Sequence, residues 1–270
     1  MIPYVLIWGG GDLASGVAIR LHRSGIRLLV IEQHQPLSVR LSVAFARAVF
    51  EREAKIEEVQ GQLIQGPEQM KDCWHAGKVP VLVDPGLDLL PAYRPLVVID
   101  ARMRKKTPDL PLETASLVIG LGPGFTASVN CHAAIETNRG HFLGRVCWEG
   151  SPQRDTGVPG KVQGYGIERV FFAPLSGEAV TYVSIGDWVN KGDRVVSVGE
   201  KTLLAPFDGL IRGLIHPGVS VKKGTKLGDI DPRHGRYRCW TVSEKSLAIG
   251  GGVLEALWTR EAIRNQLWLM

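Results

Sequence analysis

Two glycine-rich stretches carry the residue types that could do chemistry. Gly9-Gly10-Gly11-Asp12-Leu13-Ala14 lies between an apolar run and a segment of helical period, with Glu32 at the end of the next apolar run. Glycines there let the backbone approach a pyrophosphate at a helix N-terminus, and an acid about 20 residues on can take ribose hydroxyls. Asp12 offers the opposite reading: a carboxylate at the helix start caps the free amides itself and occupies the place a phosphate would want. The second stretch is Ile119-Gly120-Leu121-Gly122-Pro123-Gly124-Phe125-Thr126-Ala127, followed by His132, Glu136, Arg139 and His141. With Asn130 as N-cap and Gly140 just past the end, Cys131 to Arg139 reads as a short helix, and positions 132, 136 and 139 then share a face. Gly120, Gly122 and Gly124 would face phosphate, Arg139 and His141 would hold the ligand, and His132 and Glu136 are the candidates for proton transfer. Solvated polar residues at helical spacing are the plainer account of the same pattern.

The elements that must position these groups follow from apolar runs. Tyr4–Trp8, Arg27–Ile31, Val79–Val83, Leu96–Ile99, Leu117–Leu121 and Leu143–Cys147 read as strands, with Ala48–Glu51 a weaker candidate, and Leu13, Val17 and Leu21 mark a helix. Near-continuous apolar strands suit a sheet covered on both faces, so residues 1–165 are expected to form a Rossmann-like, doubly wound parallel sheet. Its two glycine loops would flank one crevice, with Asp84-Pro85-Gly86 and Asp100-Ala101-Arg102 on the rim.

From Gly166 the texture changes to short alternating segments. Gly186-Asp187-Trp188-Val189-Asn190-Lys191-Gly192 aligns with Gly218-Val219-Ser220-Val221-Lys222-Lys223-Gly224 at a constant spacing of 32 residues. Residues 166–235 are therefore expected to form a small all-β barrel-sandwich of the biotinyl/lipoyl-like kind. A carrier role would need a modified lysine, but only Thr202-Leu203-Leu204 separate Lys201 from Ala205-Pro206, which is too short for the usual hairpin tip. Residues 236–270 return to helical period and are expected to pack back on the first domain. Gly250-Gly251-Gly252 sits inside that pattern, so either the backbone passes another element or a ligand closely, or the helix begins after it.

Composition sets the outer limits. At 270 residues, 44% hydrophobic and 22% charged, the chain is globular, with 32 glycines as its departure from the average. A net charge of +5 favours anionic ligands without being a nucleic-acid signature, and the Arg102–Lys106 run is too short to track a backbone. Cys73, Cys131, Cys147 and Cys239 have no metal-like or disulfide-framework spacing, so no metal site is expected, and Cys131 and Cys239 are at most candidate sulfur- or selenium-handling thiols. No basic leader and no run of about 20 apolar residues is found, so a cytoplasmic, membrane-free protein is expected.

Several blocks together resemble a known family: Gly11-Asp12-Leu13-Ala14-Ser15-Gly16, Val79 to Pro85, Ile119 to Ala127, Glu136-Thr137-Asn138-Arg139-Gly140-His141, Asp229-Ile230-Asp231-Pro232-Arg233 and Gly251 to Ala256. They are similar to the YqeB-type proteins of the selenium-dependent molybdenum hydroxylase system. The resemblance implies an accessory factor, related in role to XdhC-type proteins, that helps mature or insert the cofactor of a xanthine-dehydrogenase-like enzyme. Its cofactor would be a nucleotide or molybdopterin-type group, and its partner the hydroxylase apoenzyme or the cofactor pathway, with a second copy of the chain as a further partner. Asn130 stands where the family pattern has an aspartate and Cys131 where it has an apolar residue, so neither a metal role nor a nucleophile is carried over to them. The alternatives are an NAD(P)-dependent oxidoreductase, or a non-catalytic scaffold or carrier acting through the β module.

Overall fold

The computed structural model describes residues 2–103, 110–154, 157 and 160–268. Arg104, Lys105 and Lys106 of the basic run lie outside the described residues. The first part runs β1 (Val5–Trp8), α1 (Asp12–Arg23), β2 (Leu28–Glu32), α2 (Ala48–Glu51), β3 (Glu53–Ile56), β4 (Val59–Ile64), α3 (Met70–His75), β5 (Val79–Val83), α4 (Leu90–Tyr93), β6 (Val97–Asp100), β7 (Leu117–Leu121), β8 (Ala133–Ile135) and β9 (Val146–Cys147). These strands form one nine-stranded sheet in the order β3-β4-β5-β2-β1-β6-β7-β8-β9.

Alternate residues of each central strand feed opposite faces, as the two-residue strand period requires. Val5, Ile7, Val30, Val97, Ile99 and Ile119 join one buried cluster, while Leu6, Trp8, Leu29, Ile31, Val98 and Val118 join another. The first face is covered by α1 and by the C-terminal helices α6 (Glu244–Thr259) and α7 (Glu261–Trp268), which follow a short α5 (Tyr237–Trp240). The second is covered largely by Met70 and Cys73 of α3 and by loop residues Leu87, Leu110 and Phe125.

Between β9 and α5 come β10 (Val170–Phe172), β11 (Gly177–Thr181), β12 (Trp188–Val189), β13 (Arg194–Val198), β14 (Lys201–Leu204), β15 (Gly209–Leu214), β16 (Ser220–Val221) and β17 (Lys226–Asp231). They form two four-stranded antiparallel sheets, β10-β17-β15-β12 and β14-β13-β11-β16. The 32-residue repeat maps the first order onto the second, so each sheet contains strands of both copies. Neither copy buries its apolar face alone; Val189, Val196, Ile211, Val221, Leu227 and Ile230 from both fill one core.

This architecture corrects the fold class expected from sequence. The sheet is mixed: seven strands from β4 to β8 run parallel, while β3 and β9 are antiparallel edges. Only Glu57 and Glu58 separate β3 from β4, and a two-residue connection can only reverse the chain. Helices are few, and loops do much of the covering that a doubly wound fold assigns to helices. The two interleaved antiparallel sheets likewise replace the biotinyl/lipoyl-like barrel-sandwich.

Local expectations change as well. Ala48–Glu51 is helical, and of Leu143–Cys147 only Val146 and Cys147 are strand. Cys131–Arg139 is not a helix: Ala133–Ile135 pair with Ile119–Leu121, and the Asn130 side chain accepts from the Thr126 amide at 2.8 Å, closing a loop. The three glycines lie inside α6. A Cβ on Gly250 would sit 3.0 Å from the Gly16 carbonyl oxygen of α1, and one on Gly252 would collide with the Gly144 carbonyl. Close approach of α6 to α1 and to the β8–β9 connection is therefore the reason for two of the three, and nothing explains Gly251.

The β module joins the sheet along a seam. The Leu214 amide of β15 donates to the Val39 carbonyl at 2.7 Å, and Gly213 beside it has no room for a Cβ against Asp229 and Val39.

Candidate functional site

Strand β1 lies between β2 and β6, and the chain leaves it in opposite directions on its two sides. In open sheets of parallel strands such a switch leaves a crevice outside the carboxyl ends, where ligands bind. A cavity of about 560 Å³ lies there, lined by Trp8, Gly9, Gly11, Asp12, Glu32, Arg40, Arg102 and Lys226 among others. That volume is within the range of small-molecule sites.

Gly9 turns the chain out of β1 at a φ of +104°, with Ala101 packed against it, so a side chain there would be strained and crowded. The Glu32 carboxylate accepts from the Gly10 amide at 2.8 Å and from the Gln33 amide at 2.8 Å. It therefore braces the turn, and burial holds its pKa above the usual carboxylate value despite the two amides. Asp12 opens α1 without capping it by a side-chain bond; Gly11 is the N-cap, and Asp12 lies 3.8 Å from the Arg40 guanidinium.

Arg102 forms the most ordered wall. Its guanidinium stacks 3.1 Å over the Trp8 ring and grips the fully buried Asp100 with both ends of its fork, at 3.0 and 2.6 Å. A guanidinium so fixed offers a positioned positive edge at little entropic cost. Arg40 is buried, donates to the Arg238 carbonyl at 2.9 Å, and has its Nε without a partner. Sequence reading placed Gly9, Gly11, Asp12 and Glu32 here, with Pro85, Ala101 and Arg102 on the rim; it missed Trp8, Arg40 and Lys226. Arg40 alone left a signal, a single cation within Leu37-Ser38-Val39-Arg40-Leu41-Ser42-Val43.

The second glycine loop does not share the cavity. Gly120 is glycine because the buried Phe125 ring lies where a Cβ would be, and Gly122, at a φ of +92°, is packed beside Thr137 and Met103. Gly124 accepts from the Asn130 side chain. No helix begins after this loop, so it has no dipole to offer a phosphate. His132 and Glu136 flank the extended β8, where four residues span about 13 Å rather than the 6 Å of a helix. His132 Nδ1 accepts from the Val118 amide, and burial lowers its pKa. Glu136 is buried and accepts from the amides of Asn138 and Gln153, so it organises its own loop. Arg139 pairs with Glu244 of α6, and His141 is exposed against Phe142.

The thiols are unsuited to nucleophilic work, because burial pushes Cys131 up to about 12 and raises Cys239 as well. Among the described residues no three His, Cys, Asp or Glu side chains converge as a metal site would, and no helix is long and apolar enough to cross a membrane. Lys201 is exposed at the start of β14, with only Thr202, Leu203 and Leu204 between it and Ala205.

No protein-family model matches the chain. Over 253 residues it is 45% identical to the uncharacterized protein YqeB of Escherichia coli strain K12, an alignment covering 94% of this chain and 47% of that protein. The chain spans about half the length of the curated relative it matches. Solved structures with some likeness are the product-bound ectoine utilization protein EutE (DoeB) from Ruegeria pomeroyi, 14% identical with a TM-score of 0.27 over 85% of both chains, and an aspartoacylase family protein from Mesorhizobium loti, 11% identical with a TM-score of 0.26 over 87% of this chain and 86% of that one. Likeness at that level carries no weight for fold or activity. By sequence, then, the chain is YqeB-like along nearly its whole length.

Proposed function

We propose that the chain is a ligand-binding accessory protein that holds a nucleotide or molybdopterin-type cofactor in the cavity at the carboxyl ends of β1, β2 and β6, in the service of maturing a selenium-dependent molybdenum hydroxylase. The observation that carries the binding is the cavity itself, with Arg102 fixed between Trp8 and Asp100 and with Arg40 and Lys226 also in its lining. The hydroxylase role rests on the motif resemblance. Gly9 and Gly11 bring main chain to the cavity wall, and an anionic group at that end would meet the first turn of α1. In the lining Glu32 is committed to the turn and Asp12 lies 3.8 Å from Arg40, an arrangement that suits holding an anion.

Gly11→Asp is the direct test. The backbone at Gly11 has a φ of −67°, a Cβ meets only the Ser38 hydroxyl at 3.8 Å, and aspartate is itself a good N-cap. The variant should fold as stably as the parent, yet add a carboxylate to the cavity. Thermal-shift and calorimetric titration with ADP, NAD, NADP and molybdopterin should show one of them stabilising the parent and binding Gly11→Asp at least tenfold more weakly. No shift with any of them, or unchanged affinity in Gly11→Asp, would overturn the reading.

A further inference from the structure

A second cleft of about 620 Å³ lies on the other side of the seam, between β15 and β17 of the β module, the start of α6 and the loop carrying Arg139. Its lining includes eight lysine or arginine side chains against two carboxylates, in a chain whose whole excess is only +5. Some of these cations are already neutralised: Arg139 pairs with Glu244, and Arg233 closes on the buried Asp231 with both ends of its fork.

The deeper ones are not, although Arg169 is held by the Ile230 and Gly160 carbonyls at 3.1 and 3.4 Å. Arg169 and Arg212 share a single buried carboxylate, Asp229, each at 3.6 Å, which is beyond hydrogen-bond length. Arg212 Nε and Asp229 Oδ1 are buried with no partner, and so is the Nε of Arg40, whose guanidinium feels the Arg212 charge. Three guanidinium groups thus meet at the seam, Arg169 and Arg212 sharing Asp229 and Arg40 lying 3.8 Å from Asp12, with the Arg169 and Arg212 side chains only 8% and 20% exposed. Buried positive charge in excess of its partners is costly unless something compensates it. The Lys226 side chain makes no ion pair or hydrogen bond among the described residues, and it lines this cleft and the first cavity alike. The first turn of α6 adds the positive end of a 16-residue helix beside them.

We propose that this cleft is an oligophosphate site, taking the phosphoric-anhydride portion of a small molecule, with Arg212 and Lys226 as the groups that meet its oxygens and Arg169, held by the Ile230 and Gly160 carbonyls, adding its charge behind them. Guanidinium forks match phosphate oxygens two at a time, and the single Asp229 carboxylate, shared at 3.6 Å, does not neutralise both Arg169 and Arg212. The recessed position of Arg169 and Arg212 admits a terminal or bridging phosphate group, whereas a nucleic-acid backbone needs cations along an open surface. Because Lys226 borders both hollows, the site deepens the reading given above: a ligand with its ring system in the first cavity can reach the cleft with its phosphates. The cleft is nonetheless separable from that cavity.

Inorganic pyrophosphate and ADP, titrated calorimetrically at constant ionic strength into the parent and into Arg212→Gln, Lys226→Gln, Gly11→Asp and the distant surface control Arg23→Gln, test the proposal. Pyrophosphate should bind the parent, Gly11→Asp and Arg23→Gln alike, and bind Arg212→Gln and Lys226→Gln at least tenfold more weakly. Loss of ADP binding in Gly11→Asp with pyrophosphate binding intact bears on the first cavity alone. The proposal is overturned if pyrophosphate does not bind, if Arg212→Gln and Lys226→Gln lose no more than Arg23→Gln, if sulfate competes equally, or if a single-stranded oligonucleotide binds more tightly than pyrophosphate. Because Lys226 is exposed on β17, Lys226→Gln keeps the test informative should Arg212→Gln fail to fold.

Discussion

Glu32, at the end of β2, accepts the amide of Gly10, at the end of β1, so the turn that opens the cavity is tied shut by a carboxylate from the neighbouring strand. Burial raises the Glu32 pKa above its usual 4.5 in the folded chain. Between the unfolded value and the raised folded one the native state binds more protons, so the Glu32 contribution is fully present below about 4.5 and is lost as pH rises through the folded pKa. Glu32→Gln removes that dependence. Denaturant midpoints of parent and variant, compared across mildly acidic to neutral pH, should show the parent losing stability relative to Glu32→Gln as the pH is raised.

The three adjacent glycines of α6 should respond in opposite senses. Gly252→Ala drives a methyl into the Gly144 carbonyl and Gly250→Ala crowds α1, so each should cost about 1–3 kcal/mol as overpacking does. Gly251 faces open space, and alanine there should add about 0.5–1 kcal/mol through helix propensity and a less flexible unfolded chain. Chemical denaturation of the three single variants reads the sign directly.

Gly120→Ala tests what the second glycine loop is for. With the Phe125 ring occupying the Cβ position, the substitution should lower stability by about 1–3 kcal/mol, while folded variant protein keeps the ligand affinity of the parent. A variant of normal stability with lost nucleotide or pterin binding would instead return this loop to the binding machinery.

Cys131 is fully buried and its thiol is pushed up to about 12, so it should be silent toward iodoacetamide at about pH 8 in the native state and react only on unfolding. Peptide mapping after native labelling checks this, and labelling at Cys131 without unfolding would reopen a thiol role.

The sequence by itself determined what depends on neighbours along the chain. The apolar runs at 5–8, 28–32, 79–83, 97–100 and 117–121 are strands, the glycine turn leads into α1, and the 32-residue repeat appears as strands of equal place in two sheets. Tertiary structure alone decided the rest, because it depends on pairing between distant segments. His132 to Glu136 has helical spacing, but Ala133–Ile135 complete the edge of the parallel strands against β7, and that pairing outweighs local periodicity and carries the two polar residues apart. The mixed sheet follows from hairpin edges, and loops rather than helices fill its second face. The seam is the clearest instance: Arg40, Arg169, Arg212 and Asp229 lie far apart in sequence and have no spacing to notice. Only the docking of β15 onto Val39 brings three guanidinium groups together over two carboxylates, Asp229 and Asp12, where burial makes their charge matter.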